Sequence, residues 1–391
     1  MTIKLAPITT PITTDILFGA LELECTDVGL LPHRLPAQAR ARNDDPQLAM
    51  AEAQPSGVRL MFRTSAVAIE LDTLPTKRDY IGMPARPAGV YDLRVDGRLQ
   101  RQESASGGKV QRINMATASA VVEPGQPQTL RFCDLPGHDK TVEIWLPHDE
   151  TTELVALRSD APITPVGATG KRVWLHHGSS ISQGSNAASP TGTWPVIAAN
   201  LAEVELINLG FGGSAVLDPF VARTMRDTPA DLISVKIGIN LVNTDLMRLR
   251  AFGPAVHGFL DTVRDGHPTT PLLVVSPVFC PIHETVPGPS QADILALQLG
   301  RLLFRAAGNA EDVSRGKLTL TIIREQLRAI VQRRSGSDAN IHYLDGTELY
   351  GEADHDRLPL PDQLHPDADT HRLIGERFAN LAAGPFRQRY G

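Results

Sequence analysis

Cysteine is scarce in this 391-residue sequence: three residues, Cys25, Cys133 and Cys280, odd in number, widely separated and without CxxC spacing. That argues against a disulfide framework or a zinc site and fits a reducing cytoplasm. Extended blocks of Lys or Arg are missing and the net charge is -6, so a nucleic-acid surface is not expected. Apolar runs stop at strand length, and Met1-Thr2-Ile3-Lys4 leads into Thr- and Pro-rich sequence instead of an apolar leader. Neither a signal peptide nor a membrane span is therefore expected. Neither GxGxxG nor GxxxxGK followed by Ser or Thr opens a helix, which leaves nucleotide chemistry without support.

What is present is globular: 42% hydrophobic and 21% charged residues allow sizeable cores. At ~150 residues per domain the length calls for two. From Gly57 to about Asp160 the apolar residues alternate, as in Val67, Ile69, Leu71 and in Tyr91, Leu93, Val95. Period two means half-buried strands. Asp96-Gly97 is a hairpin dipeptide, and Val142–Leu146 reads as a further strand stopped by Pro147. Short, closely spaced strands predict a jelly-roll-like β-sandwich over residues 1–160. Residues 1–56 carry no assignable pattern of their own.

Residues 159–171, rich in Pro, Gly and small side chains, mark the boundary. Beyond it, strand-like runs at 173–175, 204–209, 232–237, 272–275 and 341–344 alternate with helical stripes. One stripe is Phe252, Val256, Phe259, Leu260 and Val263; others are Leu320, Ile323, Leu327, Ile330, and Ile374, Phe378, Leu381. Such stripes are core packing. The alternation predicts an α/β domain over 170–391, with a doubly wound parallel sheet and its chemistry at the carboxyl ends of the strands.

The loops there are polar. Gly178-Ser179-Ser180-Ile181-Ser182-Gln183-Gly184 follows the first strand and turns sharply enough to expose a hydroxyl, although Gly/Ser clusters usually just turn the chain. A serine needs a base within hydrogen-bond reach and a group that orients that base. Asp362-Gln363-Leu364-His365-Pro366 offers both at a spacing one loop can bridge, while its bland reading is a surface loop before the last helix. Acyl transfer also needs donors aimed at the oxyanion. Gly210-Phe211-Gly212-Gly213-Ser214 can present backbone N–H groups, and Gly238-Ile239-Asn240 carries a side-chain amide.

Together the four segments resemble the SGNH, or GDSL, hydrolase superfamily over roughly residues 172–383. The resemblance implies a flavodoxin-like SGNH fold, with Ser180 as nucleophile, His365 as base and Asp362 as its orienter. It also implies that Gly213 N–H and Asn240 NH₂ join Ser180 N–H as oxyanion donors. Where the family motif reads Gly-Asp-Ser this sequence has Ser179, and a serine can make similar local hydrogen bonds. Ser179 and Ser182 are rival hydroxyls; the third place in the motif favours Ser180. The α/β-hydrolase elbow Gly-x-Ser-x-Gly is not matched, since position 182 is serine.

Segments 89–93 and 143–147 are similar to the β-sandwich domain that precedes some bacterial SGNH domains, in carbohydrate esterases and in polyketide-tailoring acyltransferases. The sandwich would then be accessory or substrate-shaping. Trp145 could stack on a sugar or simply cover a neighbouring sheet. His176-His177 cannot share a metal if both lie on one strand, because their side chains would point to opposite faces. Asp354-His355-Asp356 is ligand-like in composition but has no partner cluster. No metal or cofactor is expected. The Pro- and Gly-rich stretch 281–289, followed by a helix expected over 295–304, is placed to shape an acyl pocket.

The leading functional reading is ester hydrolysis through an acyl-enzyme, on a carbohydrate or small-molecule ester. Acyl transfer to a natural-product alcohol and, in another class, a non-catalytic glycan-binding protein are the alternatives. The oligomeric state stays open.

Overall fold

The computed structural model describes residues 8–83, 85–114, 117 and 119–381; the outermost residues of both expected domains lie outside that range. The chain forms two compact units. Of the described residues, one gathers those in 8–36, 52–170 and 189–191, and the other those in 37–51, 171–188 and 192–381.

The first unit holds two mainly antiparallel sheets. The six-stranded sheet runs Ile163–Pro165, Arg59–Thr64, Lys140–Trp145, Val90–Val95, Arg98–Ser104, with Leu17–Phe18 pairing beside Arg59–Thr64. The eight-stranded sheet centres on Ile69–Tyr80 and Thr151–Ser159. Inward residues of both sheets, among them Leu60, Phe62, Ile69, Leu71, Tyr91, Leu93, Val142, Ile144 and Leu157, share one core, which makes this a sandwich. The alternation in sequence is the alternation of its two faces, and Asp96-Gly97 links two adjacent antiparallel strands as expected. Of the unassigned N-terminal residues, Ile8–Thr10, Leu17–Phe18, Glu22–Cys25 and Leu30–His33 are short strands of these sheets.

The second unit carries five parallel strands in the spatial order Glu205–Gly210, Val173–Gly178, Leu232–Lys236, Leu272–Val275, Ile341–Leu344. In chain order this is 2-1-3-4-5, the flavodoxin-like arrangement, whose switch point lies beside the first strand. Helices cover both faces. On one face Trp174 stacks on Phe378 at 5.0 Å and meets Trp194 at 6.1 Å. On the other, His177 stacks on Phe259 at 5.7 Å. The helix Leu249–Gly266 buries Phe252, Val256, Phe259, Leu260 and Val263, the stripe read from sequence.

One expectation is corrected, and of the two readings open for Trp145 one is removed. Helix 295–304 is instead a short helix, Ile294–Gln298, and Phe304 opens the strand Phe304–Ala306 of a small hairpin. The three residues Phe304–Ala306 pair as strand because Ser290–Ala292 offers an edge to bond. Trp145 is not a sugar platform: it is 3% exposed, Arg59 sits 4.6 Å above its ring, and its Nε1 donates to Glu143.

Candidate active site

The loop leaving the first parallel strand meets the loop before the last helix; the loop after the second strand bonds to the first, and the loop after the third bonds to the second. After Gly178, Ser179 adopts extended backbone and caps the helix Ser180–Gln183, its Oγ accepting from Ile181 N–H at 3.4 Å. An N-cap is a role that Ser and Asp fill about equally well, so the Ser for Asp exchange keeps the turn. Ser180 is the first helical residue, where N–H groups have no intrahelical acceptor; its N–H has none elsewhere among the described residues.

The three serines occupy different environments. Ser182 is fully buried and its Oγ lies 2.8 Å from His176 Nε2, while His176 Nδ1 lies 2.7 Å from Ser234 Oγ. Burial, and next the neighbouring His177 and Lys236, hold His176 well below the usual imidazole range, so it is neutral. Ser179 is committed to its cap. Ser180 retains a little exposure at 8%, and its Oγ lies 3.0 Å from His365 Nε2.

His365 Nδ1 lies 2.8 Å from Asp362 Oδ2. The other carboxylate oxygen accepts Leu364 N–H at 2.9 Å and His365 N–H at 2.6 Å, folding the loop around the acid. Asn186 Nδ2 adds a donor to Oδ2 at 3.2 Å. Burial alone would raise the Asp362 carboxyl; the His365 ring and these backbone N–H groups outweigh it and hold the group below the ordinary carboxylate range. An ionised carboxylate only accepts, so Nδ1 of His365 carries the proton and Nε2 presents its lone pair to Ser180.

Two further loops carry N–H groups without acceptors among the described residues. Gly238 has φ +137°, and a Cβ there would stand 2.6 Å from Pro277 Cγ, so this turn excludes other side chains. It starts the helix Ile239–Asn243 and sets Asn240 in its first turn. Asn240 is 1% exposed; its Oδ1 accepts Ala215 N–H at 3.0 Å, which fixes the amide and leaves Nδ2 as the free donor. That Nδ2 is buried and has no acceptor among the described residues, a state that costs roughly 1–3 kcal/mol for a buried polar group. Gly213 N–H likewise has no acceptor among the described residues. Its loop lies against the Ser180 loop: Gly212 N–H donates to Gln183 Oε1 at 2.7 Å, and a Cβ on Gly212 would stand 3.6 Å from Ser180 Cβ.

All five residues singled out in sequence, Ser180, Gly213, Asn240, Asp362 and His365, thus lie in the second unit. The arrangement can remove a proton from the Ser180 hydroxyl and offer N–H groups to an oxyanion. Sequence reasoning missed Asn186, the bond of Gln183 to Gly212 N–H, and the place of Phe304, whose ring meets the His365 ring at a steep angle 5.9 Å away and whose N–H donates to Asp362 O at 2.9 Å. Gln183 stands inside the serine cluster; Asn186 carries no local signal, and Phe304 reads in the sequence only as the end of a helix.

The remaining candidates have structural roles. His176 and His177 point to opposite faces as expected, His177 Nδ1 lying 2.8 Å from Leu209 O. Asp354 is held to about 2: burial would raise it, and Arg377, Gly351 N–H and Arg357 outweigh that. Among the described residues no group of His, Cys, Asp or Glu has metal-ligand geometry, and no helix is long and apolar enough to cross a membrane.

Residues 171–284 match the GDSL-like lipase/acylhydrolase family, and residues 16–154 match the SsfX3 N-terminal domain. Among solved structures the chain is similar to the salicylyl-acyltransferase SsfX3 from a tetracycline biosynthetic pathway. Identity is 29% and the TM-score 0.79, over 98% of this chain and 99% of that one. A Bacteroides ovatus protein described as a GDSL-like lipase follows at 17% identity and TM-score 0.67, covering 95% of this chain and 96% of its own. A family two carbohydrate esterase from Cellvibrio japonicus shares the fold at 12% identity and TM-score 0.58, over 97% and 98% of the two chains. No curated protein matches the sequence.

Proposed function

We propose, for this two-domain enzyme of the GDSL/SGNH esterase and acyltransferase type, that it cleaves carboxylic esters through an acyl-enzyme on Ser180. The observation that carries the reading is the unbroken hydrogen-bonded line Ser180–His365–Asp362, 3.0 Å and 2.8 Å long, beside three N–H donors without acceptors. In this reading His365 Nε2 takes the Ser180 proton as Oγ attacks the ester carbonyl, and the carbonyl oxygen becomes an oxyanion. Ser180 N–H, Gly213 N–H and Asn240 Nδ2 stabilise that charge, which is absent from the ground state. Asp362 keeps the imidazole in its tautomer and balances the imidazolium. His365 then returns the proton to the leaving alkoxide, and the alcohol departs. Water, deprotonated by the same imidazole, attacks the acyl carbon; the bond to Oγ breaks as His365 returns that proton to Ser180, and the acid leaves.

The sandwich takes the accessory, substrate-shaping part, since the five site residues all belong to the other unit. Incubating the enzyme with p-nitrophenyl acetate and following the Ser180 peptide by mass spectrometry tests the proposal. An acetyl group on Ser180 is expected; acetylation elsewhere, or product release untouched by Ser180→Ala, contradicts it.

A second reading is transfer of the acyl group to an alcohol other than water. It is favoured by the similarity to an acyltransferase, which runs over both units. Adding candidate acceptor alcohols to the acetylated enzyme separates the two: new ester in proportion to acceptor supports transfer, and free acid whatever the acceptor supports hydrolysis.

A further inference from the structure

The proposed oxyanion site depends on the direction of one peptide group, and a residue far away in sequence bonds to it. Helix Pro46–Glu52 begins at an Asp45 whose Oδ1 accepts Gln47 N–H at 2.9 Å. The residues 37–51 pack within the second unit although strands of the sandwich precede them. Leu48 is buried at 1% exposure and anchors the turn. The Gln47 side chain, half-buried, donates from Nε2 to Gly212 O at 2.8 Å.

Gly212 C=O and Gly213 N–H belong to the same planar peptide group, and in a trans peptide they point in opposite directions. Holding the oxygen therefore aims the N–H. Gly212 N–H, in the preceding peptide, is held by Gln183 Oε1 at 2.7 Å, so Gly212 is gripped on both sides. Gly213 itself has φ +77°, and a Cβ there would stand 3.3 Å from Gln47 Cγ and Nε2; the glycine lets Gln47 lie against the loop. Two consecutive glycines without such bonds would let the peptide rotate, since glycine restrains φ and ψ least.

We infer that Gln47 is a positioning residue for the oxyanion site, orienting Gly213 N–H through its bond to Gly212 O. The inference rests on the acyl-enzyme reading above. Gln47 touches no reacting atom, and its effect is confined to how well the N–H is aimed when charge develops, so it acts on turnover more than on substrate binding.

The test compares wild type with Gln47→Leu, Gln47→Glu and Gln47→Lys. Leu and Glu keep the bulk but remove the donor; Lys restores a donor of similar reach. With p-nitrophenyl acetate, Leu and Glu should lower kcat roughly 3- to 30-fold, the range set by losing one hydrogen bond and slackening one donor. KM should stay within about twofold. Affinity for a boronic acid, whose tetrahedral adduct places an oxygen in the oxyanion position, should fall by the same factor as kcat, and Lys should recover most of both.

An unchanged kcat in Leu and Glu overturns the inference. So does a loss of kcat without loss of boronate affinity, or a Lys variant as poor as Leu. Should Leu fold poorly by its thermal midpoint, the Glu and Lys pair, both soluble polar side chains, carries the comparison. Hydrolysis that survives Ser180→Ala removes the underlying reading; Ser180-dependent hydrolysis indifferent to all three Gln47 variants removes this inference alone.

Discussion

His365 Nε2 stands 3.0 Å from Ser180 Oγ across 185 positions of sequence. The pair is brought together because the first parallel strand ends at Gly178, beside the sheet's switch point, and the loop before the last helix folds around Asp362. Removing either member should disable the other. Ser180→Ala and His365→Ala are each expected to lower kcat by at least ~10³-fold, and the double variant little further, because the two act as a unit. Steady-state kinetics with p-nitrophenyl acetate check this; additive losses would argue against a shared step.

Asn240 is the buried donor whose amide direction is set by Ala215 N–H. Asn240→Ala should cost ~10²–10³ in kcat with a small change in KM. A variant with wild-type kcat would place the oxyanion elsewhere.

Asp362 is kept ionised below its ordinary range, and its partner is the Nδ1 proton of His365. Asp362→Asn keeps the shape but can bond the wrong tautomer, and a loss of ~10³–10⁴ in kcat is expected at neutral pH. Should activity fall less than tenfold, the acid that orients the base must be sought among other groups.

Phe304 presents its ring edge to the imidazole. Phe304→Ala should leave acetate turnover within about threefold while shifting the ratio of p-nitrophenyl benzoate to acetate turnover by about fivefold or more, as expected when apolar contact in an acyl pocket is lost. An unaltered ratio would remove Phe304 from the acyl side.

Glu150, 3% exposed in the sandwich, has its carboxyl pushed up to about 7, chiefly by burial, against the lowering effect of Gly89 N–H. Below the unfolded value both states hold the proton. As pH rises from there to about 7 the unfolded chain releases it first, so this group withdraws stability over that interval and no more above it. Glu150→Gln, which mimics the protonated acid, should gain on wild type by on the order of 1–3 kcal/mol between pH 4.5 and 8. Urea unfolding at several pH values reads this; parallel curves would contradict it.

The sandwich and the parallel sheet were legible because their faces alternate or recur at 3.6 residues, a signal each segment carries by itself. Ser180, Gly213, Asn240, Asp362 and His365 could be singled out because small and polar residues stand out in the loops between apolar strands and helices. Gln47 was not: one glutamine in an unpatterned segment means nothing until the fold sets it beside Gly212 O. Phe304 was misread as helical because an apolar residue near Leu295 and Leu299 continues a helical spacing, and only the edge offered by Ser290–Ala292 turns it into strand.

The backbone passes from one unit to the other at 36/37, 51/52, 170/171, 188/189 and 191/192. Neither half is thus a contiguous cassette. A gene fragment starting at Lys171 would encode Ser180, His365 and Asp362 yet leave Gln47 behind, so swapping such halves between relatives by a single splice would graft those three side chains without the one that bonds Gly212 O.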